Sequence, residues 1–252
     1  MDEKGRKTEQ AHWDAAWSLP VRPRLPSALN VDTANVFALL RPHVEPGAHY
    51  LEVGCAPGKL LAWVAAGLKA RADGVDYSET GTANCRILFK ALGLDVGLFQ
   101  DDFFNNHLTP ASYDVVSSFG FIEHFDDPRF AVAKHIELLK PGGVALIAVP
   151  NYGKLYGRLQ RWFDAPNLAL HNLDIMTPAA LTALVERRPD LTVKAYQHGS
   201  MSLWLVNLEK RWPRKLARLL QWTVNVVGLM QFFSIPALAP MLVLEVRRSA
   251  SP

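Results

Sequence analysis

The sequence predicts an α/β fold, in which one doubly wound sheet carries helices on both of its faces. Apolar strand patterns alternate with helical patterns over most of the chain. A glycine-rich turn joins the first strand of this alternating region to a helix, and acidic residues follow the next two strands. Alternation of this kind is typical of a mostly parallel sheet.

The N-terminal region predicts a helical cap over residues 1–43. Trp13 and Trp17 lie one helical turn apart, so they can share a face. Three prolines in the stretch 19–27 predict an irregular linker. Residues 29–43 predict a helix, which two prolines and a glycine end.

The region 44–200 predicts the alternating α/β core. Its helices are predicted at KLLAWVAAGL, at 79–92 before Gly93, at 128–139, and at TPAALTALVE, where Thr177 caps the helix. A turn, KPGG, precedes the fifth strand. The seven predicted strands, of which the last follows the core, are HYLEVG, ADGVDYS, LDVGLFQDD, YDVVSSFGFI, GGVALIAVPN, LTVKAYQHG and MLVLEVRR.

Composition places the chain among ordinary globular proteins, with 49% hydrophobic residues and a net charge of +3. We expect one domain over 1–252 and no nucleic-acid partner. Cys55 and Cys85 are too few for a disulfide framework, which favours a reducing cytoplasm. The charged start shows no signal-peptide pattern, and no apolar run reaches the ~20 residues of a membrane span.

The glycine turn lies where ligands bind in open α/β sheets, past the carboxyl end of a strand. Gly54 and Gly58 are four residues apart, which fits neither the dinucleotide fingerprint nor the P-loop. The helix beginning near Lys59 favours an anion at its N-terminus. Alone, the turn remains equally consistent with a simple connection.

Acidic residues at two further strand ends strengthen the interpretation. Asp76 follows the second strand, where a carboxylate can accept both ribose hydroxyls. Asp101 and Asp102 follow the third strand, where a carboxylate can accept an adenine amine. Each is also consistent with an ordinary polar strand end, but the three features together favour a nucleoside-like cofactor. They predict that the region 44–200 is a cofactor-binding core.

These pieces together resemble the class I S-adenosylmethionine-dependent methyltransferases. The matching motifs are LEVGCAPG, GVDYS, QDDFF, YDVVSSFGFIEHF and LLKPGGVALIAVPN, which span roughly 48–151. The resemblance is greatest to the subgroup with EHF or EHV after the fourth strand and KPGG…PN around the fifth. It implies a Rossmann-like sheet with an antiparallel last strand, and S-adenosyl-L-methionine as cofactor.

The resemblance implies that Gly54, Ala56 and Gly58 shape the turn around the methionine moiety, and that Glu52 supports it near the ammonium group. Ala56 replaces the middle glycine of the family's usual motif, so the fine geometry of the turn is open. Two further residues are expected near the sulfonium, at the end of the fourth strand: Ser118 and Phe119.

For the adenosine, the resemblance implies that Asp76 holds the ribose, with Tyr77 beside it. Asp102 is expected at the adenine amine, with Asp101 as the alternative, and Phe103 at the ring. The methyl group is electrophilic by itself, so no metal is predicted.

The reaction needs a nucleophile in line with the S–CH₃ bond, and a base where that nucleophile is a hydroxyl. His124 and His171 are the predicted catalytic residues, although each could simply bond backbone. Asn151 and Tyr152 are predicted to line the acceptor site. We expect a small-molecule or lipid-like acceptor, methylated at oxygen, with nitrogen or carbon as alternatives.

Other functions are disfavoured by specific residues. Methylases of nucleobase or glutamine amines carry an Asn/Asp-Pro-Pro-aromatic tetrapeptide where this chain reads SSFGFIEHF. The Lys-Asp-Lys-Glu set of RNA ribose methylases cannot be placed. A protein that binds the cofactor without catalysis and a nicotinamide oxidoreductase remain as alternatives, and the glycine spacing disfavours the second.

The segment 201–235 is predicted as a helical insertion before the last strand. Basic residues lead into a broad apolar helical face, a pattern found in helices that lie on anionic membranes. Peripheral membrane contact through 210–233 is one interpretation. A lid over the pocket, packing on the sheet edge and a homodimer contact are the alternatives, and they are favoured on sequence alone.

Overall fold

A computed structural model describes residues 5–105, 107–231 and 235–250. The described strands form one sheet of order β3-β2-β1-β4-β5-β7-β6, in which β7 runs antiparallel to both β5 and β6. The predicted fold class is confirmed. The strands are β1 His49–Val53, β2 Arg71–Val75, β3 Gly97–Phe99, β4 Tyr113–Phe119, β5 Leu139–Pro150, β6 Leu191–His198 and β7 Met241–Arg248.

Helices cover both faces of the sheet because alternate strand residues point to opposite sides. In β1, Tyr50 packs in the apolar layer under α2, α3 and α4, whereas Leu51 and Val53 pack in the layer under α5, α6 and α7. The helices are α1 Gln10–Ala16, α2 Val31–Leu40, α3 Lys59–Gly67, α4 Glu79–Leu92, α5 Arg129–Glu137, α6 Leu155–Leu168, α7 Pro178–Thr182 and α8 Arg214–Leu229.

Local signals set several helix ends. The Ser78 side chain accepts a hydrogen bond from the amide of Gly81 at the start of α4, and Gly93 ends that helix with φ 64°. The Thr177 hydroxyl caps α7, as the sequence predicts. This helix ends at Thr182, whereas the sequence predicts that it continues to Glu186.

Two further features differ from the sequence prediction. The KPGG stretch lies inside β5 rather than in a turn before it: Gly142 has φ 85°, and the pairing register with β4 shifts between Tyr113 and Val115. The other difference is α6, which was not predicted. This helix contains Pro166 and is kinked at Asp164, whose φ is −151°.

The N-terminal helix α1 docks on the loop between β2 and α4. The Asp14 carboxylate accepts hydrogen bonds from the hydroxyl of Ser78 at 2.7 Å and from the amide of Thr80 at 3.2 Å. Trp13 and Trp17 share one face, with ring centroids 6.4 Å apart. These contacts place α1 over the carboxyl ends of the strands.

The segment between β6 and β7 contains α8, which lies against α2. Asn225 of α8 accepts a hydrogen bond from the amide of Val31 at 2.8 Å and donates one to the carbonyl of Leu29. Residues 232–234, at the end of the predicted amphipathic pattern, lie outside the described residues. Within the described ranges, every helix is too short or too polar to cross a bilayer.

Candidate functional site

A cavity of about 460 Å³ lies at the carboxyl ends of the strands. Its volume falls in the range of small-molecule sites. Residues that end β1, β2, β4 and β5 line it from below, and α1 and the segment before α8 line it from outside. The parallel strands therefore converge on the place where the sequence predicts the cofactor.

The turn after β1 needs glycine at two positions. Gly54 has φ 70°, and a Cβ there would lie 3.3 Å from the ring of Phe121. Gly58 has φ 85°, and a Cβ there would lie 2.9 Å from Phe89. Glycine at these two positions therefore leaves the cavity side of the turn without a side chain and lets the other side pack closely against α4.

The substitution at Ala56 has a counterpart in α4. A Cβ on Gly81 would lie 2.6 Å from the Cβ of Ala56, so the methyl group fits only because residue 81 is glycine. The departure from the family motif is therefore accommodated by packing between the turn and α4. Ala56 itself lines the cavity.

Asp76 links the turn to the second strand. Its two carboxylate oxygens accept hydrogen bonds from the amides of Ala56 at 3.0 Å and Ser78 at 2.9 Å. Burial raises the pKa of this carboxyl, although both hydrogen bonds favour the charged form. Each oxygen keeps a second lone pair, so the carboxylate can also accept two ribose hydroxyls.

The third strand's acids lie on the same cavity, but each already has a partner. Nη2 of Arg6 contacts both carboxylate oxygens of Asp102, at 2.6 Å and 2.5 Å. The Asp101 carboxylate lies 3.3 Å from Nδ1 of the exposed His107. Phe103 is buried beside them, with its ring edge-on to Phe104.

Most predicted site residues meet in this one cavity. Those that line it are Gly54, Ala56, Asp76, Tyr77, Asp101, Asp102, Phe103, Phe119, His124, Tyr152 and His171. Four predicted site residues are not among the described residues that line the cavity: Glu52, Gly58, Ser118 and Asn151.

These four residues are buried or structural. Burial raises the pKa of Glu52 well above its ordinary value, and its Oε2 has no hydrogen-bond partner among the described residues. The Asn151 amide donates to the carbonyl of Ala239 at 2.8 Å, so it ties β5 to the segment before β7. Direct ligand contacts by these four remain predictions.

The two predicted catalytic histidines lie side by side, with ring centroids 4.8 Å apart. Nδ1 of His124 lies 3.0 Å from the carbonyl oxygen of Leu170, and Nδ1 of His171 lies 3.0 Å from that of Asn167. Because a carbonyl only accepts, each Nδ1 carries the proton and each Nε2 keeps its lone pair. Burial lowers both pKa values, that of His124 to about 3 with a contribution from His171.

Glu123 is a site residue that sequence reasoning missed. It is fully buried and lines the cavity next to His124, and burial raises its pKa to about 8. Neither of its carboxylate oxygens accepts a hydrogen bond from another described residue. The signal was present in the EHF motif, because Glu123 immediately precedes the predicted catalytic histidine.

Aromatic side chains from outside the core complete the acceptor end. Trp13 packs edge-on against His124 at 5.1 Å between centroids, and Tyr152 packs edge-on against His171 at the same distance. Trp17 and Trp204 also line the cavity. Only the helical spacing of Trp13 and Trp17 hinted at this shared role.

The residues at the turn fit S-adenosylmethionine. The Asp76 carboxylate has free lone pairs for ribose, and the surface at Gly54 has no side chain to obstruct a ligand. Tyr77 and Phe104 line the same cavity, and their rings lie next to Arg6, the partner of Asp102. When bound, the cofactor would supply an electrophilic methyl group at this end of the cavity.

Residues 30–193 match the model of a protein family described as a methyltransferase domain. A ubiquinone biosynthesis O-methyltransferase of Thiobacillus denitrificans is 33% identical over 42% of this chain and 45% of its own length. A probable S-adenosylmethionine-dependent methyltransferase of Mycolicibacterium smegmatis is 35% identical over 42% of this chain and 39% of its own. The matches thus span less than half of each of these relatives.

Solved structures share the fold at low sequence identity. The plantazolicin methyltransferase BpumL in complex with S-adenosylhomocysteine has a TM-score of 0.56 and 15% identity, over 88% of this chain and 83% of its own. The [4+2]-cyclase SpnF has a TM-score of 0.60 and 15% identity, over 86% and 80%.

Proposed function

The chain belongs to the methyltransferase-domain family and has the class I fold, and on that premise we propose that it transfers a methyl group from S-adenosylmethionine to a hydroxyl of a small-molecule or lipid-like acceptor. One observation carries the choice of oxygen. Two neutral imidazoles present free Nε2 lone pairs in the same cavity as the cofactor residues. Such a group can take the proton that a hydroxyl must lose.

The cofactor lies, in this proposal, along the turn after β1. Asp76 accepts the ribose hydroxyls, Asp102 or Asp101 accepts the adenine amine, and Tyr77 packs beside the adenosine. The partnership of Asp102 with Arg6 must open or rearrange for that contact. The methyl group then faces the end of the cavity that holds His124 and His171.

The base is the histidine pair. The acceptor O–H bond breaks as its proton passes to Nε2 of His171, or to Nε2 of His124, which is the weaker base because burial lowers its pKa to about 3. The O–CH₃ bond forms, and the S–CH₃ bond breaks to leave S-adenosylhomocysteine. The pair takes a single proton, because a charge on His171 disfavours a charge on His124.

The lining of the acceptor end supports an apolar or aromatic acceptor. Trp13 and Tyr152 pack against the histidines, and Trp204 and Phe125 line the same cavity. Aromatic rings pack well against planar or apolar molecules. The O-methyltransferases among the relatives agree with oxygen as the methylated atom. Methylation at nitrogen or carbon is the alternative.

Labelled methyl transfer tests the proposal. The full chain is incubated with S-adenosylmethionine labelled in its methyl group and with aqueous and lipid extracts of cells, and the product is identified by mass spectrometry and NMR. We expect the label in an apolar molecule as a methyl ether. Label on nitrogen or carbon would refute the choice of oxygen.

A cofactor-binding protein that does not transfer methyl groups is the second candidate. The fold similarity to a cyclase shows that this sheet also occurs in a protein named for other chemistry. Calorimetric binding of S-adenosylmethionine without any label transfer would favour this alternative.

The face of α8 that is turned away from the core supports peripheral membrane contact through 210–233, of which 232 and 233 lie outside the described residues. Large apolar side chains are exposed along it, among them Trp222 at 64% and Leu219 at 59%. Arg214, Lys215 and Arg218 provide positive charge that complements anionic lipid. Trp204, which lies in the insertion 201–235, also lines the cavity.

Vesicle binding tests this contact. We expect the chain to sediment with anionic but not neutral vesicles at low salt, and Trp222→Ser with Leu219→Ser to abolish sedimentation. No binding would refute the membrane contact. Concentration-dependent dimerisation that the same substitutions abolish would instead identify α8 as a homodimer surface.

A further inference from the structure

Three metal-ligating side chains meet at the acceptor end of the cavity. They are Glu123 and His124 on the short 3₁₀ turn after β4, and His171 just after α6. One ligand atom of each lies within 4.8 Å of the others. Sequence reasoning assigned the two histidines to proton transfer and assigned no role to the glutamate.

The two histidines are oriented as metal ligands usually are. In metal sites, one ring nitrogen binds the ion and the other donates a hydrogen bond that fixes the ring. Here Nδ1 of each ring donates to a backbone carbonyl, of Leu170 and of Asn167, at 3.0 Å. Both Nε2 atoms are therefore left as lone-pair donors.

The Glu123 carboxylate is the ligand that a bound ion would stabilise most. Its residue is 0% exposed, and both carboxylate oxygens are buried without a hydrogen bond from another described residue. Buried carboxyl groups without partners are costly, and a bound cation is one of the few groups that satisfies both oxygens.

The backbone holds the two ligand-bearing loops together. The amide of Asn172 donates to the carbonyl of Glu123 at 2.7 Å, and its side chain donates to the carbonyls of Phe125 and Asp126 at 3.0 Å. These bonds position the three ligands without help from an ion. The site is thus preorganised, as metal sites require.

We propose that Glu123, His124 and His171 bind a divalent transition-metal ion of the zinc class. Two imidazoles and one carboxylate are the ligand set of open, catalytic zinc sites, in which a fourth position is left for water or substrate. Imidazole ligands disfavour magnesium and calcium, which prefer oxygen. In a zinc site with bonds of about 2.1 Å, the ligand atoms lie roughly 3–3.5 Å from one another. The three ligand atoms here lie within 4.8 Å of one another, so small side-chain rotations bring them to that separation.

The inference rests on the proposed methyl transfer only for its chemical role. An acceptor hydroxyl in the fourth position would lose its proton more easily, because a bound divalent ion stabilises the oxyanion. The proton would pass to water, and the oxygen would then attack the methyl group. With both Nε2 atoms occupied, the ion replaces the histidine pair as the group that activates the hydroxyl.

Metal binding is tested on the full chain by two readouts that do not need the acceptor. The purified protein is stripped with a chelator and titrated with Zn²⁺ under calorimetry and with Co²⁺ under visible spectroscopy. We expect one ion per chain and the visible absorption of a low-coordinate Co²⁺ site. His171→Ala and Glu123→Gln should weaken binding at least tenfold.

His43→Ala is the matched control, because it removes a histidine outside the cavity. The unsubstituted chain failing to bind Zn²⁺ or Co²⁺, or binding that survives His171→Ala, would overturn the proposal. His171 is half-buried, so this variant serves if Glu123→Gln does not fold.

The experiments distinguish a failure of the proposed methyl transfer from a failure of the proposed metal site. Methyl transfer by a chain that binds no ion keeps the proposed function and leaves the histidine pair as its base. Stoichiometric ion binding without methyl transfer keeps the metal site and refutes the methylation.

Discussion

The guanidinium of Arg6 bridges both carboxylate oxygens of Asp102, although 96 positions separate the two residues in the chain. The same guanidinium lies 5.2 Å from the ring centroid of Tyr77 and 5.5 Å from that of Phe104. The N-terminal segment therefore occupies the acid and the aromatic faces that we propose for the adenine.

We expect Arg6→Ala to strengthen S-adenosylmethionine binding by roughly two- to fivefold, since a partly exposed ion pair contributes up to about 1 kcal/mol. Calorimetric titration measures the change. Lys7→Ala is the control, because it removes the neighbouring charge and its ion pair with Asp126. Weaker binding in Arg6→Ala would show that Arg6 contacts the cofactor itself.

Asp76→Ala should weaken S-adenosylmethionine binding by about ten- to a hundredfold, with the fold kept, because hydrogen bonds to a charged group contribute about 1.5–3 kcal/mol. Calorimetry and circular dichroism check binding and fold. The control is Asp127→Ala, which alters an exposed carboxylate. Unchanged affinity would remove Asp76 from the ribose site.

His124→Ala should lower turnover by about 10²–10⁴-fold, whereas cofactor affinity should change little, because the ring lies at the acceptor end of the cavity. Turnover with the identified acceptor and calorimetry with S-adenosylmethionine separate the two effects. We expect His43→Ala to retain full turnover. Near-normal turnover of His124→Ala would exclude it from proton transfer.

His135 should make the fold sensitive to acid. Burial lowers its pKa to about 4 from an ordinary value of 6.5, so the unfolded chain takes up a proton before the folded one. This contribution to stability is complete above pH 6.5 and is lost as the pH falls toward 4. Between pH 7.5 and 5 the loss is roughly 2 kcal/mol.

Urea unfolding at pH 7.5 and pH 5 measures this loss. In His135→Phe the difference between the two pH values should shrink by that amount, since a phenyl ring cannot titrate. His107→Ala, which changes an exposed histidine, should leave the difference unaltered. An unchanged difference in His135→Phe would assign the acid sensitivity to other groups.

The strands and the position of the cavity could be predicted because their signals are local. Gly54 and Asp76 stand directly after buried strands, and parallel strands bring their carboxyl ends to one edge. The same logic could not identify Glu123 as a site residue. A glutamate beside a histidine is ordinary in sequence, and only tertiary packing leaves its carboxylate buried and unpaired.

The contacts of the N-terminal segment were unpredictable for a related reason. Arg6 and Asp14 are polar residues in a polar stretch, and their partners lie in loops far along the chain. The helix α6 was not predicted because a proline such as Pro166 disfavours a helix interior. In the structure this proline lies next to the kink at Asp164.

The segment that contains α8 begins and ends at paired positions of the sheet, since His198 faces Met241 across the β6–β7 ladder. Its two ends are thus neighbours, and the ladder places no constraint on the length of chain between them. Insertions of different length can therefore occur at this place without changing the pairing of β6 with β7. Because Trp204 lines the cavity, such a change would alter one wall of the cavity while the turn after β1 stays the same.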